Sequence, residues 1–217
     1  MSCYGNFNKI LYDTNSIIYY CFNHTEKLGG NIVHFRVIEF TNKSINFTQY
    51  LINNNVRIET IIQVINEILD KGVAKIVEEY CNDGQTKDLI GISRSREIPR
   101  AIKLRLVKKT EDKINELRKK SWFSVINYSQ NREAIGAIKD FYRSLESTVK
   151  MIAHMRIKNK SVPWPSSVDM MLLAYSKENG VPILTNDTDF TNFKEELQTA
   201  ALCFGIIELS ETSMIRR

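Results

Sequence analysis

Carboxylates follow two separate apolar segments of the chain, at the point where each segment ends. Asp13 comes directly after the apolar residues 10–12, and Asp187 and Asp189 come just after the apolar residues 181–185. Carboxylates gathered at one edge of a sheet repel one another and persist there only if cations neutralise them. Mg²⁺ and Mn²⁺ are hard cations that prefer oxygen ligands of this kind. Such a site would activate water for the hydrolysis of a phosphodiester bond.

Two further acids are candidates for the same site. Asp169 lies in the first turn of a predicted helix, and Glu67 lies in the helix after the second predicted strand. Structural explanations also exist for every acid. The three aspartates at the strand ends could cap helices or form turns, and Asp169 could pair with Ser166 in a capping box. On a helical wheel Glu67 points away from the apolar face, as a solvated glutamate would.

The elements that would position these acids alternate between strands and helices. Strands are predicted at residues 10–12, 56–59, 122–129, 181–185 and 204–209, with an extra strand at 32–40. Helices are predicted at residues 16–22, 43–52, 60–71, 73–80, 99–120, 131–159, 167–179 and 193–201. Their expected N-caps are Thr14 or Asn15, Ser44, Thr60 and Ser166, and Gly72 is expected to break a helix. This pattern predicts an α/β domain with a parallel sheet between helices, in which sites form at the carboxyl ends of strands.

Three blocks of the sequence carry a family resemblance. KILYDTN, then ETIIQVINEI, then SSVDMMLLAYSKENGVPILTNDTDF resemble the three acidic signatures of PIN-domain nucleases, and the last block is the most specific. The resemblance implies a three-layer α/β/α fold over a single domain, residues 1–217. It also implies a set of site residues, in which the catalytic acids are Asp13, Glu67, Asp169 and Asp187. By the same resemblance the metal ligands are Asp13, Asp169, Asp187 and Asp189, and the polar residues that orient them are Asn15 and Thr185.

The chain is longer than the small PIN toxins of the VapC type usually are. The excess lies mainly between about residues 82 and 121, a basic helical insertion, and between residues 23 and 42. Two roles therefore remain open. The chain could be a toxin with a small antitoxin protein as its partner, or a free-standing RNA-processing enzyme. A gene for a small DNA-binding protein immediately upstream would indicate the toxin.

Basic residues are concentrated between Arg94 and Lys120. They outnumber the acids of that stretch, which favours a phosphate-tracking arm over an ordinary solvated helix face. The arm would form an antiparallel pair with the predicted helix 131–159. The predicted RNA-binding residues are Arg100, Lys103, Lys108, Lys109, Lys119 and Lys120.

The composition excludes several classes of protein. The chain has 217 residues, a formal net charge of +5 and 43% hydrophobic residues, which is enough to build a full core. Its four cysteines form no CxxC pair, so a zinc framework is not expected. We find neither a signal-peptide pattern nor an apolar run of the roughly 18 residues that a membrane span needs. A cytoplasmic protein with reduced thiols is therefore expected.

These observations predict an endoribonuclease that depends on Mg²⁺ or Mn²⁺. RNA is the expected partner, and a homo-oligomer is left open. One alternative is a catalytically inactive PIN-fold protein that binds RNA or serves as a scaffold. The other is a structure-specific DNA nuclease, although no helix-hairpin-helix-like G-x-G element supports it.

Overall fold

A parallel five-stranded sheet forms the centre of the molecule. The computed structural model describes residues 7–214. The sheet has the strand order β5-β4-β1-β6-β7, and every neighbouring pair is parallel. Its strands are β1 (Lys9–Tyr12), β4 (Arg57–Ile61), β5 (Phe123–Ile126), β6 (Ile183–Thr185) and β7 (Ile206–Glu208). A separate antiparallel hairpin consists of β2 (Asn23–Leu28) and β3 (Asn31–Arg36). The predicted α/β fold with a parallel sheet flanked by helices is confirmed.

Helices cover both faces of the sheet. They are α1 (Thr14–Cys21), α2 (Ile38–Asn53), α3 (Ile62–Glu67), α4 (Val73–Asn82), α5 (Gly84–Leu89), α6 (Arg100–Leu117), α7 (Arg132–Ser144), α8 (Val149–Lys158), α9 (Ser167–Asn179), α10 (Thr188–Thr191) and α11 (Lys194–Thr199). A π-helical turn, Ile68–Gly72, joins α3 to α4, and a 3₁₀ helix, Leu209–Met214, ends the described chain. Within residues 7–214 no helix is both long and apolar enough to cross a bilayer.

The order of the strands creates one crevice. The chain begins in the central strand β1, moves outward through β4 to β5, and then returns to the other side of β1 to form β6 and β7. Strand order therefore reverses between β1 and β6, where Leu11 pairs with Ile183. Connections leave these two strands in opposite directions, so their carboxyl ends border an open crevice. Asp13 and Asp187 follow these two strand ends.

Residues 23–40 differ from the predicted extra strand. The extra strand covers only Asn31–Arg36, it pairs with β2, and a helix begins at Ile38. Gly29 and Gly30 form the tip of the hairpin with φ angles of 58° and 87°. Two consecutive residues with positive φ make the tight turn that suits the twist of a hairpin, and glycine adopts this conformation without strain.

The predicted break at Gly72 is wrong. Gly72 has helical φ and ψ angles of −60° and −47°, and the helix continues through the π-helical turn into α4. A Cβ atom at this position would lie 3.3 Å from Cδ1 of Ile18 on α1. Gly72 therefore serves the close approach of two helices and does not end one of them.

Three of the expected N-caps are also wrong, because tertiary contacts use those hydroxyls differently. The cap of α1 is neither Thr14 nor Asn15 but Asp13, as the alternative interpretation of that acid had it. Ser44 lies buried in the middle of α2, and Thr60 lies buried in β4, where its hydroxyl donates to the carbonyl of Tyr12. The predicted helix 131–159 is two helices, because Thr148 caps a new helix by accepting a hydrogen bond from the amide of Met151.

The capping box of α9 is confirmed. The hydroxyl of Ser166 accepts a hydrogen bond from the amide of Asp169 at 3.2 Å, and the carboxylate of Asp169 accepts one from the amide of Ser166 at 3.1 Å. Gly180 ends the helix with a φ of 63°, as expected for a glycine C-cap.

Ser166→Ala is expected to lower the free energy of unfolding by about 1 kcal/mol, because the amide of Asp169 loses its partner. Urea denaturation of the metal-free protein measures this change. Ser167→Ala is the matched control, since Ser167 is the exposed first residue of the helix and makes no capping bond. Equal stability of the two variants would contradict the cap.

Candidate active site

All five predicted acids line one cleft at the reversal of strand order. The cleft has a volume of about 1010 Å³, and the acids that line it are Asp13, Glu67, Asp169, Asp187 and Asp189. They arrive from four different elements: the cap of α1, the end of α3, the first turn of α9 and the start of α10. The sheet brings the strand ends together, and the helices that begin there supply the remaining side chains.

Asp13 is both a helix cap and a member of the cleft. Its side chain is buried, and one carboxylate oxygen accepts the amide of Ser16 at 2.6 Å. The other oxygen accepts the hydroxyl of Thr185 at 2.5 Å. Burial raises the pKa of Asp13 to about 6, with a further contribution from the charge of Asp187, although the bonds from Thr185 and Ser16 oppose the rise.

Thr185 and Asn15, predicted as orienting residues, both lie beside these acids. The hydroxyl of Thr185 donates to Asp13 and accepts the amide of Asp187 at 2.9 Å, so it connects the ends of β1 and β6. Asn15 lines the cleft next to the cap of α1. Thr185 therefore fixes the separation of the two acids that follow the strands.

Asp169 has the pKa that the cleft raises furthest among the five acids. Burial and then the charge of Asp187 raise the pKa of Asp169 to about 8, with smaller contributions from Glu67 and Asp189. The hydrogen bond with Ser166 opposes this rise without cancelling it. The capping role and the site role of Asp169 are thus compatible, and a cation beside Asp169 would favour its ionised form.

Glu67 lies in the wall of the cleft, whereas the helical wheel indicated only a solvated surface residue. Its carboxylate is half-buried and accepts the hydroxyl of Thr14 at 2.5 Å. The π-helical turn follows directly after Glu67. Along α3, this turn and α4, four residues line the cleft at four-residue spacing: Gln63, Glu67, Lys71 and Lys75. A regular α-helix would rotate such a row by about 40° per step, because it has 3.6 residues per turn. The wider π-helical turn reduces that rotation, so the four side chains stay on the side of the helix that faces the cleft.

Asp189 differs from the other acids because cations and a histidine already surround it. Oδ1 of Asp189 lies 2.6 Å from Nε2 of His154 and 2.7 Å from Nζ of Lys160. Burial alone would raise the pKa of Asp189, but the bonds from Lys160 and His154 together with nearby lysine charges hold it below its usual value. On the other side of the ring, Nδ1 of His154 lies 3.2 Å from the side-chain nitrogen Nδ2 of Asn192. Asp189 therefore links the start of α10 to His154 and Lys160. These partners occupy the carboxylate that was predicted to bind a metal.

Lys158 is the cation that contacts Asp187. Its ammonium lies 2.6 Å from Oδ1 of Asp187 and 3.8 Å from Oδ2 of Asp189. The same oxygen of Asp187 accepts the amide of Asp189 at 2.8 Å and so caps α10. Sequence reasoning missed Lys158, Lys160 and His154, because all three lie about thirty residues before the aspartates they contact. The only signal was the pair of lysines that flanks Asn159 just before the SVPWP segment.

The donor chemistry of the cleft fits Mg²⁺ or Mn²⁺, because every candidate ligand is a carboxylate oxygen. Nevertheless, within the part of the chain that the structure describes, no three His, Cys, Asp or Glu side chains stand close enough to hold an ion as they are. Each acid instead accepts a hydrogen bond from the protein. Binding would therefore require side-chain rotations that exchange these bonds for the ion. Cys21, Cys81 and Cys203 are buried free thiols outside the cleft, and Cys3 lies outside the described residues.

The predicted RNA-binding residues of the basic segment divide into two groups. Lys103 pairs with Glu78, Lys108 with Asp112, and Lys109 with Glu26. By contrast, residues 7–214 provide no ion-pair partner for Arg100, Lys119 or Lys120. Helix α6 packs against α1 and α4 through a buried face, and α7 packs against α9, so the predicted antiparallel pair of projecting helices is wrong.

Comparison with family models, curated proteins and solved structures finds no match to this chain. What the chain does must therefore be inferred from the residues of the cleft and from the positions in which the sheet holds them.

Proposed function

We propose that this chain is a divalent-metal-dependent endoribonuclease of the PIN type. One observation carries the proposal: four acids, Asp13, Glu67, Asp169 and Asp187, line one cleft where the strand order reverses. Open α/β sheets bind their ligands at this position. An excess of carboxylates in a cleft favours the binding of a hard cation, and perturbed pKa values are typical of functional sites.

The residues have distinct roles in the proposal. Asp13, Asp169 and Asp187 would hold Mg²⁺ or Mn²⁺, with Asp189 as an auxiliary acid, and Glu67 would assist from the end of α3. The ion would activate water and neutralise charge that develops on the phosphate. Thr185 orients Asp13 through its hydroxyl, and His154 and Lys160 hold Asp189 in place.

RNA is the proposed substrate, by the family resemblance and by the excess of basic residues. The proposal leaves open whether the enzyme processes RNA or is a toxin that a small antitoxin protein neutralises. The cytoplasm is the proposed location, because buried free thiols at Cys21, Cys81 and Cys203 suit a reducing compartment.

Mapping of cleavage sites on total cellular RNA tests the proposal. Purified protein with Mg²⁺ or Mn²⁺ is expected to create discrete new 5′ ends that are absent in EDTA. An inactive scaffold on the same fold would create no ends, and if its acid site were degenerate Mn²⁺ would not raise its melting temperature. New ends that persist in EDTA would refute the metal-dependent mechanism.

Neutralising Lys108, Lys109, Lys119 and Lys120 together is expected to weaken RNA binding and flatten its salt dependence. Each lost contact with a phosphate of single-stranded RNA should reduce the slope of log K against log salt by about 0.7, because fewer counterions are released. Fluorescence anisotropy in an Asp187→Asn background, which preserves the RNA, measures both quantities.

Two double variants provide the internal comparison. Neutralising Lys119 and Lys120 should have the larger effect, because Lys108 and Lys109 already pair with Asp112 and Glu26. If the slopes of all variants overlap with that of the parent protein, the basic segment does not contact RNA and serves for packing or a partner.

A further inference from the structure

Lys158 lies inside the acid cleft. It is the last residue of α8, its side chain is only 31% exposed, and it lines the cleft together with the proposed metal ligands. Its ammonium is 2.6 Å from Asp187 and 3.8 Å from Asp189. A lysine in this position supplies a positive charge to the same carboxylate that a divalent cation would use.

The two neighbouring aspartates depend on Lys158 to different degrees. Asp189 has two closer partners, His154 at 2.6 Å and Lys160 at 2.7 Å. Asp187 has one cationic partner among the described residues, and that partner is Lys158. Loss of the Lys158 ammonium would therefore leave Asp189 held and Asp187 without a counter-ion.

The other lysines of the cleft are engaged elsewhere. Lys71 lies 3.9 Å from Asp70, and Lys75 lies 3.8 Å from Glu79, both in exposed pairs along the same helical wall. Neither forms an ion pair with the acids that follow the strands. Among the described residues, competition between a side-chain cation and a bound metal for Asp187 is therefore confined to Lys158.

We infer that Lys158 is the resident counter-ion of Asp187, which a divalent metal displaces and which then contacts a phosphate of the bound RNA. This inference rests on the proposed function. A ligand that binds only one of two arrangements has an apparent affinity reduced by the population of the other arrangement. The Lys158–Asp187 pair thus weakens metal binding in the free protein, and RNA that attracts the ammonium removes this competition. By linkage, RNA and metal strengthen the binding of each other.

The test measures metal and RNA separately in Lys158→Met. Titration calorimetry of the protein alone with Mn²⁺ should give roughly fivefold tighter binding than in the parent protein, since one partly exposed ion pair no longer competes. Anisotropy with a labelled single-stranded RNA, in an Asp13→Asn background, should give roughly fivefold weaker binding and a salt slope reduced by about 0.7. Simple structural damage would weaken both, so opposite directions identify the exchange.

Two variants serve as controls. Lys150→Met removes a lysine of the same helix that pairs with Glu196 outside the cleft, and it should leave Mn²⁺ binding unchanged. Lys158→Arg retains the charge and should keep both affinities near those of the parent. Unchanged or weaker Mn²⁺ binding in Lys158→Met, with normal binding in the parent, would overturn the role of Lys158 alone. Absence of Mn²⁺ binding in every variant would overturn the proposed function as well.

Discussion

Replacing Asp13 or Asp187 by asparagine is expected to abolish RNA cleavage while the protein stays folded. Each substitution removes one negative ligand of the proposed metal, and the loss should exceed about a hundredfold, because even residues behind metal ligands contribute 10- to 100-fold. Asp13 caps α1 and Asp187 caps α10. Asparagine is an equally good N-cap, so neither helix should lose its start. Single-turnover cleavage at saturating Mn²⁺ measures the effect.

Thermal melting in EDTA provides the second readout for these variants. Removal of one charge relieves repulsion within the cleft, so metal-free Asp13→Asn should melt at the temperature of the parent protein or above it. Asp187→Asn also loses the ion pair with Lys158, so it should melt close to the temperature of the parent protein. Asp140→Asn is the control, because Asp140 is 75% exposed on α7 and pairs with Arg143. A variant of either cleft acid that turned over RNA at the rate of the parent protein would show that the proposed site is wrong.

Glu67→Gln is expected to lower the cleavage rate by about 10- to 100-fold. Glutamine has nearly the same shape and can still accept the hydroxyl of Thr14, so the change removes charge and leaves the packing in place. Metal-dependent cleavage under single-turnover conditions is the measurement. The result separates a glutamate that works in the cleft from one that only holds the start of α1.

The control for Glu67 must be an exposed glutamate without a structural partner. Glu78 is unsuitable because it accepts bonds from Lys103 and Asn82. Glu116, which is exposed on α6, is the better choice. If Glu67→Gln and Glu116→Gln had equal and small effects, Glu67 would have no part in the chemistry.

The acids at strand ends could be predicted because buried strands and the turns that follow them have local sequence patterns. The apolar segment before Asp13 and the one before Asp187 each predict a buried strand, and parallel strands bring their carboxyl ends together. The capping box of Asp169 is equally local. The sequence could not show that Asp169 is both a helix cap and a residue of the acid cleft, because the second role depends on how close Asp169 lies to Asp187.

Glu67 and Lys158 show where sequence reasoning fails. The helical wheel places the buried face of Ile61, Val64, Ile65 and Ile68 correctly. It cannot show that the surface beside this face, where Glu67 lies, is the wall of a cleft. Lys158 reaches Asp187 across 29 positions of the chain, after a helix boundary that the pattern of residues 131–159 conceals. Contacts of this kind follow from tertiary packing, which overrides local periodicity.

The measurement that tests the central claim most directly is cleavage of one labelled single-stranded RNA, beside DNA of the same sequence, with Mn²⁺ or with EDTA. The proposed function predicts cleavage of the RNA with Mn²⁺, no cleavage in EDTA, and loss of the activity in Asp187→Asn. The resemblance to PIN-domain nucleases implies that the products would carry 5′-phosphate and 3′-hydroxyl ends. Cleavage of the DNA instead of the RNA would favour a DNA nuclease. An intact RNA with Mn²⁺ present, or cleavage undiminished in EDTA, would contradict a metal-dependent ribonuclease at this cleft.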